Sequence, residues 1–243
     1  MRFAKDNRFI RGLYVLYCTY IGNCKRSKFG YIAESAKLIP PLKIDGPQNV
    51  FMYENTKVEN STISAVLSKF IMKKGSAAAE GLSVHTGNHM QLVGKFYRTI
   101  TNEDKLNSGK VFDKDIIVEE DVWIGCNVTL LSGAHLGRSS VIAAGAVVNS
   151  NIPPYCIAGG VPAKPIKFKW TIDQILEHES LLYPEEERFT KEELEKMFSG
   201  TKTKVKPQLM TTNPDENSQR NDKTMQNTDN QSITAGGGEL VNR

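Results

Sequence analysis

Residues 118–153 read VEEDVWIGCNVTLLSGAHLGRSSVIAAGAVVNSNIP and fall into six successive hexads. A large aliphatic residue opens each hexad, and a small or aliphatic residue stands four places later. The opening positions are Val118, Ile124, Leu130, Leu136, Ile142 and Val148, and the later ones are Val122, Val128, Ala134, Ser140, Ala146 and Ile152. A period of six fits neither an α-helix nor an alternating strand, but it is typical of short strands separated by corners. The stretch therefore predicts a β-helix in which one coil is stacked on the next.

Small residues directly after the large aliphatic positions agree with tight corners. Gly125, Gly137 and Ala143 stand where the chain would turn and where a larger side chain would collide with its surroundings. We therefore expect the backbone of neighbouring coils to approach closely at these positions.

Five segments, in this order along the chain, resemble the hexapeptide-repeat acyltransferases, in particular the branch of galactoside, maltose and xenobiotic O-acetyltransferases. They are TGNH (86–89), VWIG (122–125), AAGAVV (143–148), PPY (153–155) and GGVPAK (159–164). The resemblance covers roughly residues 45–185. It implies an all-β fold, namely a left-handed parallel β-helix of hexapeptide repeats, together with a homotrimer and acetyl transfer from acetyl-CoA to a hydroxyl group.

The composition is that of an ordinary soluble protein. The 243 residues are 40% hydrophobic and carry a net charge of +4, which is too small to indicate a nucleic-acid partner. The four cysteines have neither metal-site spacing nor the context of a small disulfide framework. We expect reduced thiols and a cytoplasmic location, since acetyl-CoA must be supplied there.

The N-terminal segment, residues 1–48, contains a basic stretch followed by the apolar run 13–21. This run is too short to span a bilayer, and no small-x-small cleavage site follows it. The pattern favours an amphipathic helix that packs on the body of the protein or on a neighbouring subunit, so a membrane contact is not expected. A peripheral membrane contact is the alternative, because a basic aromatic helix suits an interface.

The remaining chain divides into three parts. Residues 49–170 are predicted to form the β-helix, interrupted by a polar loop at 90–114 that helps to wall the active site in similar proteins. Two capping boxes, Thr171 with Gln174 and Thr190 with Glu193, predict short helices within 171–200. Residues 201–243 contain no aromatic residue and are predicted to be a disordered tail.

Acyl transfer to an alcohol needs a base that removes the hydroxyl proton, and a neutral imidazole is the usual choice. The chain has four histidines. We expect His135, at a corner of the hexads, and His178, in a terminal helix, to be surface residues. The resemblance of TGNH to the catalytic segment of the family implies His89 as the base, with His85 and Asn88 contacting the acceptor.

A zinc site is the other interpretation of two histidines four residues apart. That spacing brings ligands together on a helix, whereas residues 85 and 89 would not converge on a strand, and no third histidine has the spacing of the zinc-containing β-helix class. We therefore predict no metal.

For the donor, the resemblance implies that four residues line the acetyl-CoA site: Trp123, Cys126, Ala144 and Lys167. Lys164 joins them because it belongs to a run of lysines beside the last coil, where the phosphates of CoA need cations. Cys126 stands where relatives have serine, and it could equally be a small buried residue. The lysines could equally be part of a solvated face. The chain reads Asn-Ser-Asn at 149–151 where relatives commonly have Thr-Lys-Asp, so one frequent CoA-contacting lysine is missing.

These observations predict an acetyl-CoA-dependent O-acetyltransferase acting on a sugar or surface-polysaccharide precursor, that is, on a small-molecule or glycan acceptor. Two alternatives stay open. The acceptor could be another hydroxyl compound, such as an antibiotic or serine, or the chain could be a non-catalytic scaffold that binds a glycan or partner.

Overall fold

The computed structural model describes residues 8–203, with side chains from residue 9 onward. Nearly all of the predicted tail, and the first basic residues of the chain, lie outside this range. The helices are α1 (Arg8–Tyr20), α2 (Asn102–Asn107), α3 (Ile172–Leu182) and α4 (Lys191–Gly200). The strands are β1 (Tyr31–Ile32), β2 (Lys37–Asp45), β3 (Val50–Met52), β4 (Lys57–Ser64), β5 (Phe70–Met72), β6 (Ala77–Ala78), β7 (Ser83–His85), β8 (Ile116–Val118), β9 (Trp123–Ile124), β10 (Thr129–Leu131), β11 (His135–Leu136), β12 (Val141–Ile142), β13 (Val147–Val148), β14 (Asn151–Ile152), β15 (Cys156–Gly159) and β16 (Lys164–Phe168).

These strands form a left-handed parallel β-helix of about six turns. The first face consists of β1, β3, β5, β8, β11 and β14. The long strands β2 and β4 bend round a corner and belong to both other faces. In β4, Lys57 pairs with Ala77 of β6, whereas residues 62–64 pair with 83–85 of β7. The second face continues through β9, β12, β15 and the antiparallel β16, and the third through β10 and β13.

The hexad pattern is confirmed by the core. All twelve hexad positions named above are buried, with at most 2% of any of them exposed. Full burial of an aliphatic side chain contributes roughly 1.5–3 kcal/mol. Repetition of the pattern in every coil therefore makes the solenoid interior the main source of stability.

The corners use two kinds of backbone constraint. At Gly137 an added Cβ would lie 2.4 Å from the backbone nitrogen of Pro154, so the predicted close approach is confirmed there. The second constraint was not predicted from the sequence. Residues with positive φ recur every six positions, at Asp121, Asn127, Gly133, Ser139 and Gly145. Glycine, asparagine and aspartate tolerate this left-handed conformation, which lets the chain turn from one face of the β-helix to the next.

The β-helix begins earlier than the expected boundary at residue 49. β1 pairs with β3, and β2 pairs with β4, so residues 31–45 already form a coil. The pairing of β2 with β4 is irregular between Ile39 and Leu42, and Pro40 and Pro41 lie inside that gap. Proline has no N–H to donate to a ladder, so it is tolerated where pairing is interrupted.

The two terminal helices have the predicted capping boxes, at Thr171 with Gln174 and at Thr190 with Glu193. They enclose a second small core of Tyr155, Ile175 and Leu194. The buried carboxylate of Glu179 joins this core to the coils, because it accepts hydrogen bonds from the Tyr155 hydroxyl and from Arg138 Nη1, the latter at 2.9 Å. Burial, followed by the hydrogen bond to Glu179, raises the pKa of Tyr155.

The two histidines expected at the surface, His135 and His178, differ in their exposure to solvent. His135 lies in β11 rather than at a corner, with its Nε2 2.9 Å from Glu119 Oε1 and its side chain 42% exposed. The expectation is wrong for His178. Its ring packs 4.7 Å from that of Trp170 and edge-on to Tyr155, because α3 turns this side of the helix toward the second core.

The N-terminal helix α1 forms as predicted over Arg8–Tyr20. Most of its large apolar side chains are half exposed or more. Within residues 8–203, each helix falls short of the length and apolar content required to cross a bilayer.

Candidate active site

The segment that carries the candidate histidines leaves the third face of the β-helix at the end of β7. His85 closes this strand, and its Nε2 lies 2.9 Å from Ser83 Oγ. The next residue, Thr86, is buried; its N–H donates to Ser64 O at 3.0 Å, and its carbonyl accepts from Lys114 N at 3.1 Å. Thr86 therefore holds the two ends of the inserted loop against the coil.

Asn88 closes the same loop from the other side. Its backbone N–H donates to Asp113 Oδ1 at 2.8 Å, and its side-chain Nδ2 donates to Phe112 O at 3.1 Å. The side-chain nitrogen of Asn88 is thus engaged by the loop backbone. In this geometry Asn88 supports the shape of the site in addition to any contact that it makes with an acceptor.

The loop is not without structure of its own. It contains α2, whose N-terminus is closed by a capping box between Thr101 and Asp104. Lys105 of this helix binds Asp113, with Nζ 2.7 Å from Oδ1 and 2.6 Å from Oδ2. The two side chains are only 14% and 9% exposed. No periodic pattern in the sequence links the two partners, so this pair was not predicted.

Two clefts meet at His89. A cleft of about 200 Å³ is lined by His85, Asn88 and His89, together with Lys105 and Asp113. A larger cleft of about 660 Å³ lies on the loop side, where His89 is joined by Met90, Asn107, Lys110 and Phe112. His89 itself is exposed, and its ring stands edge-on to Tyr97 with the centroids 6.4 Å apart. The three residues predicted to act on the acceptor, His85, Asn88 and His89, therefore line one cleft.

The residues predicted to line the donor site lie on the second face and its corner. Trp123 is 49% exposed and pairs with Val141 in the next coil. Ile157 of β15 pairs with Val141 on one side and with Lys167 of β16 on the other. Cys126 and Ala144 occupy the adjacent corner in successive coils, where Gly145 N–H donates to Cys126 O at 2.9 Å. Lys164 and Lys167 are both exposed on β16. These residues form a continuous row along the solenoid axis.

Within one chain, the histidines and the donor row stand at opposite edges of the third face. His85 pairs with Leu131 at the end of that face, while Cys126 lies at the corner before it. β10, which leads from the Cys126 corner to Leu131, is three residues long and spans about 10 Å at the rise of a strand. One copy of the chain therefore keeps His85 and Cys126 apart.

No group of three His, Cys, Asp or Glu side chains within residues 8–203 is arranged to hold a metal ion.

The repeated buried hexads, the three parallel faces and the inserted loop define a hexapeptide-repeat β-helix protein. The family described as bacterial transferase hexapeptide (six repeats) matches residues 115–150. Residues 115–150 thus carry the hexapeptide repeat of this family, and the chain is similar to hexapeptide-repeat acetyltransferases.

Similar sequences include a Schizosaccharomyces pombe protein provisionally named an acetyltransferase, which is 51% identical over 61 residues, covering 25% of this chain and 30% of that protein. Galactoside O-acetyltransferase of Escherichia coli is 25% identical over 149 residues, covering 58% of this chain and 65% of that enzyme. In both cases the match spans less than two thirds of the relative.

Among solved structures, a hexapeptide-repeat acetyltransferase of Vibrio cholerae in complex with acetyl coenzyme A superposes with a TM-score of 0.54 at 21% identity, covering 68% of this chain and 92% of that chain. A galactoside acetyltransferase in complex with coenzyme A gives a TM-score of 0.52 at 23% identity, covering 68% and 82%. At these identities the likeness shows the fold.

Proposed function

We propose that the protein is a cytoplasmic O-acetyltransferase that transfers the acetyl group of acetyl-CoA to a hydroxyl of a sugar or surface-polysaccharide precursor. His89 is the general base, and the reaction proceeds by direct attack of the acceptor on the thioester. The observation that carries the proposal is the cleft in which His85, Asn88 and His89 meet at the root of the inserted loop.

His89 has the position that a base requires. It is exposed and lines both the smaller and the larger cleft, so a hydroxyl compound entering from the loop side would meet its ring. A neutral imidazole takes the proton as the hydroxyl oxygen attacks the carbonyl carbon. The C–O bond forms, the C–S bond breaks, and the proton held by His89 then returns to the CoA thiolate.

The row from Trp123 to Lys167 has the properties of a donor site. It runs along the axis over several coils and presents an exposed indole at one end and exposed ammonium groups at the other. Lysine cations suit the phosphates of CoA. Backbone N–H groups at the Cys126 corner are the candidates for stabilising the developing oxyanion.

A homotrimer would bring the two halves of the site together. The histidines and the donor row lie at opposite edges of one face, with the length of β10 between them. In a ring of copies, the histidine edge of one subunit faces the donor edge of the next. Each active site is then shared by two subunits, and the acetyltransferase names of the relatives support the same reaction class.

The direct test is free-thiol release by the purified full chain with acetyl-CoA and a panel of sugars. The proposal requires thiol release that depends on a sugar and exceeds the rate without acceptor. Release with serine or an antibiotic hydroxyl, but with none of the sugars, would assign a different acceptor class. Acetyl-CoA hydrolysis at the blank rate throughout, with glycan binding intact, would instead identify a scaffold.

A further inference from the structure

The helix α1 exposes an unusually apolar surface for a protein in water. Four residues, Leu13, Leu16, Tyr17 and Tyr20, recur at the i, i+3, i+4 and i+7 spacing of one helix face. They are 51%, 55%, 52% and 50% exposed. Tyr14, beside this face, is 66% exposed. Contiguous apolar patches of this kind mark sites of interaction with a protein or a membrane.

The net positive charge of the chain is concentrated in the same region. Residues 1–33 contain seven basic residues and a single acid, Asp6, so they carry +6, whereas the whole chain carries +4. The remainder of the protein is therefore slightly acidic. Within the helix, Arg11 stands on the side opposite the apolar face, together with Val15 and Cys18. α1 thus combines an aromatic and aliphatic face with a basic surrounding.

We propose that α1 lies in the surface of an anionic lipid bilayer. The apolar face would enter the boundary between headgroups and acyl chains, and the tyrosine hydroxyls would remain at headgroup level. The side chains of Arg26 and Lys28 already donate to backbone carbonyls. The other basic residues of this region would bind the anionic headgroups. Thirteen residues of helix span about 20 Å, less than the hydrocarbon core of about 30 Å, so the helix lies on the membrane and does not cross it.

This proposal departs from the expectation that protein covers the helix. In the chain itself the apolar face is exposed to solvent. Pairing of this face with the same face of a second copy would bring two segments of +6 together, and like charges oppose such contact. An anionic bilayer would bury the apolar face and would also attract the positive charge of this segment.

Flotation of the full chain with vesicles tests the proposal. The probes are phosphatidylcholine vesicles with and without phosphatidylglycerol. We expect binding to be about tenfold stronger or more with phosphatidylglycerol and to weaken as salt is added. Binding to neither vesicle, or equal binding to both, would overturn the proposal.

Two double variants distinguish membrane binding by α1 from nonspecific binding of exposed apolar side chains. Leu13→Glu with Leu16→Glu places charge on the apolar face and is expected to abolish flotation. Leu181→Glu with Leu182→Glu is the matched control, because these side chains are 76% and 60% exposed at the end of α3. The control should float like the wild type. Equal loss in both variants would contradict a specific role of α1.

Light scattering of the same variants distinguishes a lipid partner from a second copy. The proposal requires Leu13→Glu with Leu16→Glu to keep the mass and melting temperature of the wild type. A fall in mass would show that α1 is a subunit contact and would overturn the proposal.

Discussion

The ammonium group of Lys105 lies 2.6 and 2.7 Å from the two carboxylate oxygens of Asp113, and one of these oxygens also accepts the backbone N–H of Asn88 at 2.8 Å. Three parts of the chain meet here: α2, the returning end of the loop, and the residue before His89. Since both charged side chains are largely buried, the contact is sheltered from water. The shape of the His89 cleft therefore depends on this ion pair.

Replacing Lys105 with methionine is expected to lower kcat/KM by about tenfold, because a loosened loop no longer holds His89 and the acceptor in the reactive geometry. The unfolding free energy should fall by about 1–3 kcal/mol, since the Asp113 carboxylate loses its main partner. Steady-state kinetics and urea titration measure both effects. Lys95→Met is the matched control: it removes an ion pair with Asp104 in the same loop, at 2.9 Å, but Lys95 is 47% exposed. Exposed pairs contribute little, so equal losses in both variants would refute this role of Lys105.

The sequence predicted those features that repeat or are local. The hexads fixed the solenoid because each coil needs the same inward residues, and the capping boxes at Thr171 and Thr190 are complete within four residues. The histidine segment was found through its resemblance to the family. The contact between Lys105 and Asp113 has no such signature, because it exists only when the loop folds back on itself.

Two further differences have physical causes of the same kind. The first coil was not predicted: residues 31–45 do not show the hexad pattern, and the strand β2 is interrupted at Pro40 and Pro41, where its pairing with β4 is irregular. His178 was expected in solvent because its position on an isolated helix gives no sign of the aromatic residues that α3 packs against.

The core hexads make a specific prediction about adjacent residues in β12. Ile142→Ala should lower the unfolding free energy by about 2–5 kcal/mol, because the side chain is fully buried and its loss leaves a cavity. Val141→Ala, its outward neighbour, is only partly buried and should cost markedly less. Urea titration of both variants is the measurement. Equal costs would contradict the inward and outward assignment of the hexad.

Glu119 predicts a pH dependence of stability. Burial alone would raise its pKa, but the hydrogen bonds from Lys73 at 2.6 Å and with His135 at 2.9 Å outweigh burial and lower it. A carboxylate with a lowered pKa stabilises the fold above its unfolded value of about 4.3. This contribution is lost as the pH falls through the lower folded value. Glu119→Gln should therefore be less stable than the wild type near neutral pH, and the difference should vanish in acid. A difference that stays constant from neutral to acid pH would exclude this ion pair as its source.

The shared-site proposal predicts a trimer in dilute solution. Light scattering of the purified chain at low micromolar concentration should give three times the mass of the 27.1 kDa chain. A monomeric mass with full acetyltransferase activity would show that one copy contains a complete site, which contradicts the separation of His85 from Cys126.

The central claim is that His89 removes the proton from the acceptor hydroxyl, and turnover of the His89→Ala and His85→Ala variants on the same acceptor tests it most directly. Both residues line the cleft, so each variant is the control for the other, and acetyl-CoA binding should be equal in the two. The account predicts that His89→Ala lowers kcat by about a hundredfold or more, since removal of a positioned base costs at least that much, and that His85→Ala is affected less. A His89→Ala enzyme that keeps normal turnover would contradict the account, whether or not His85→Ala is inactive.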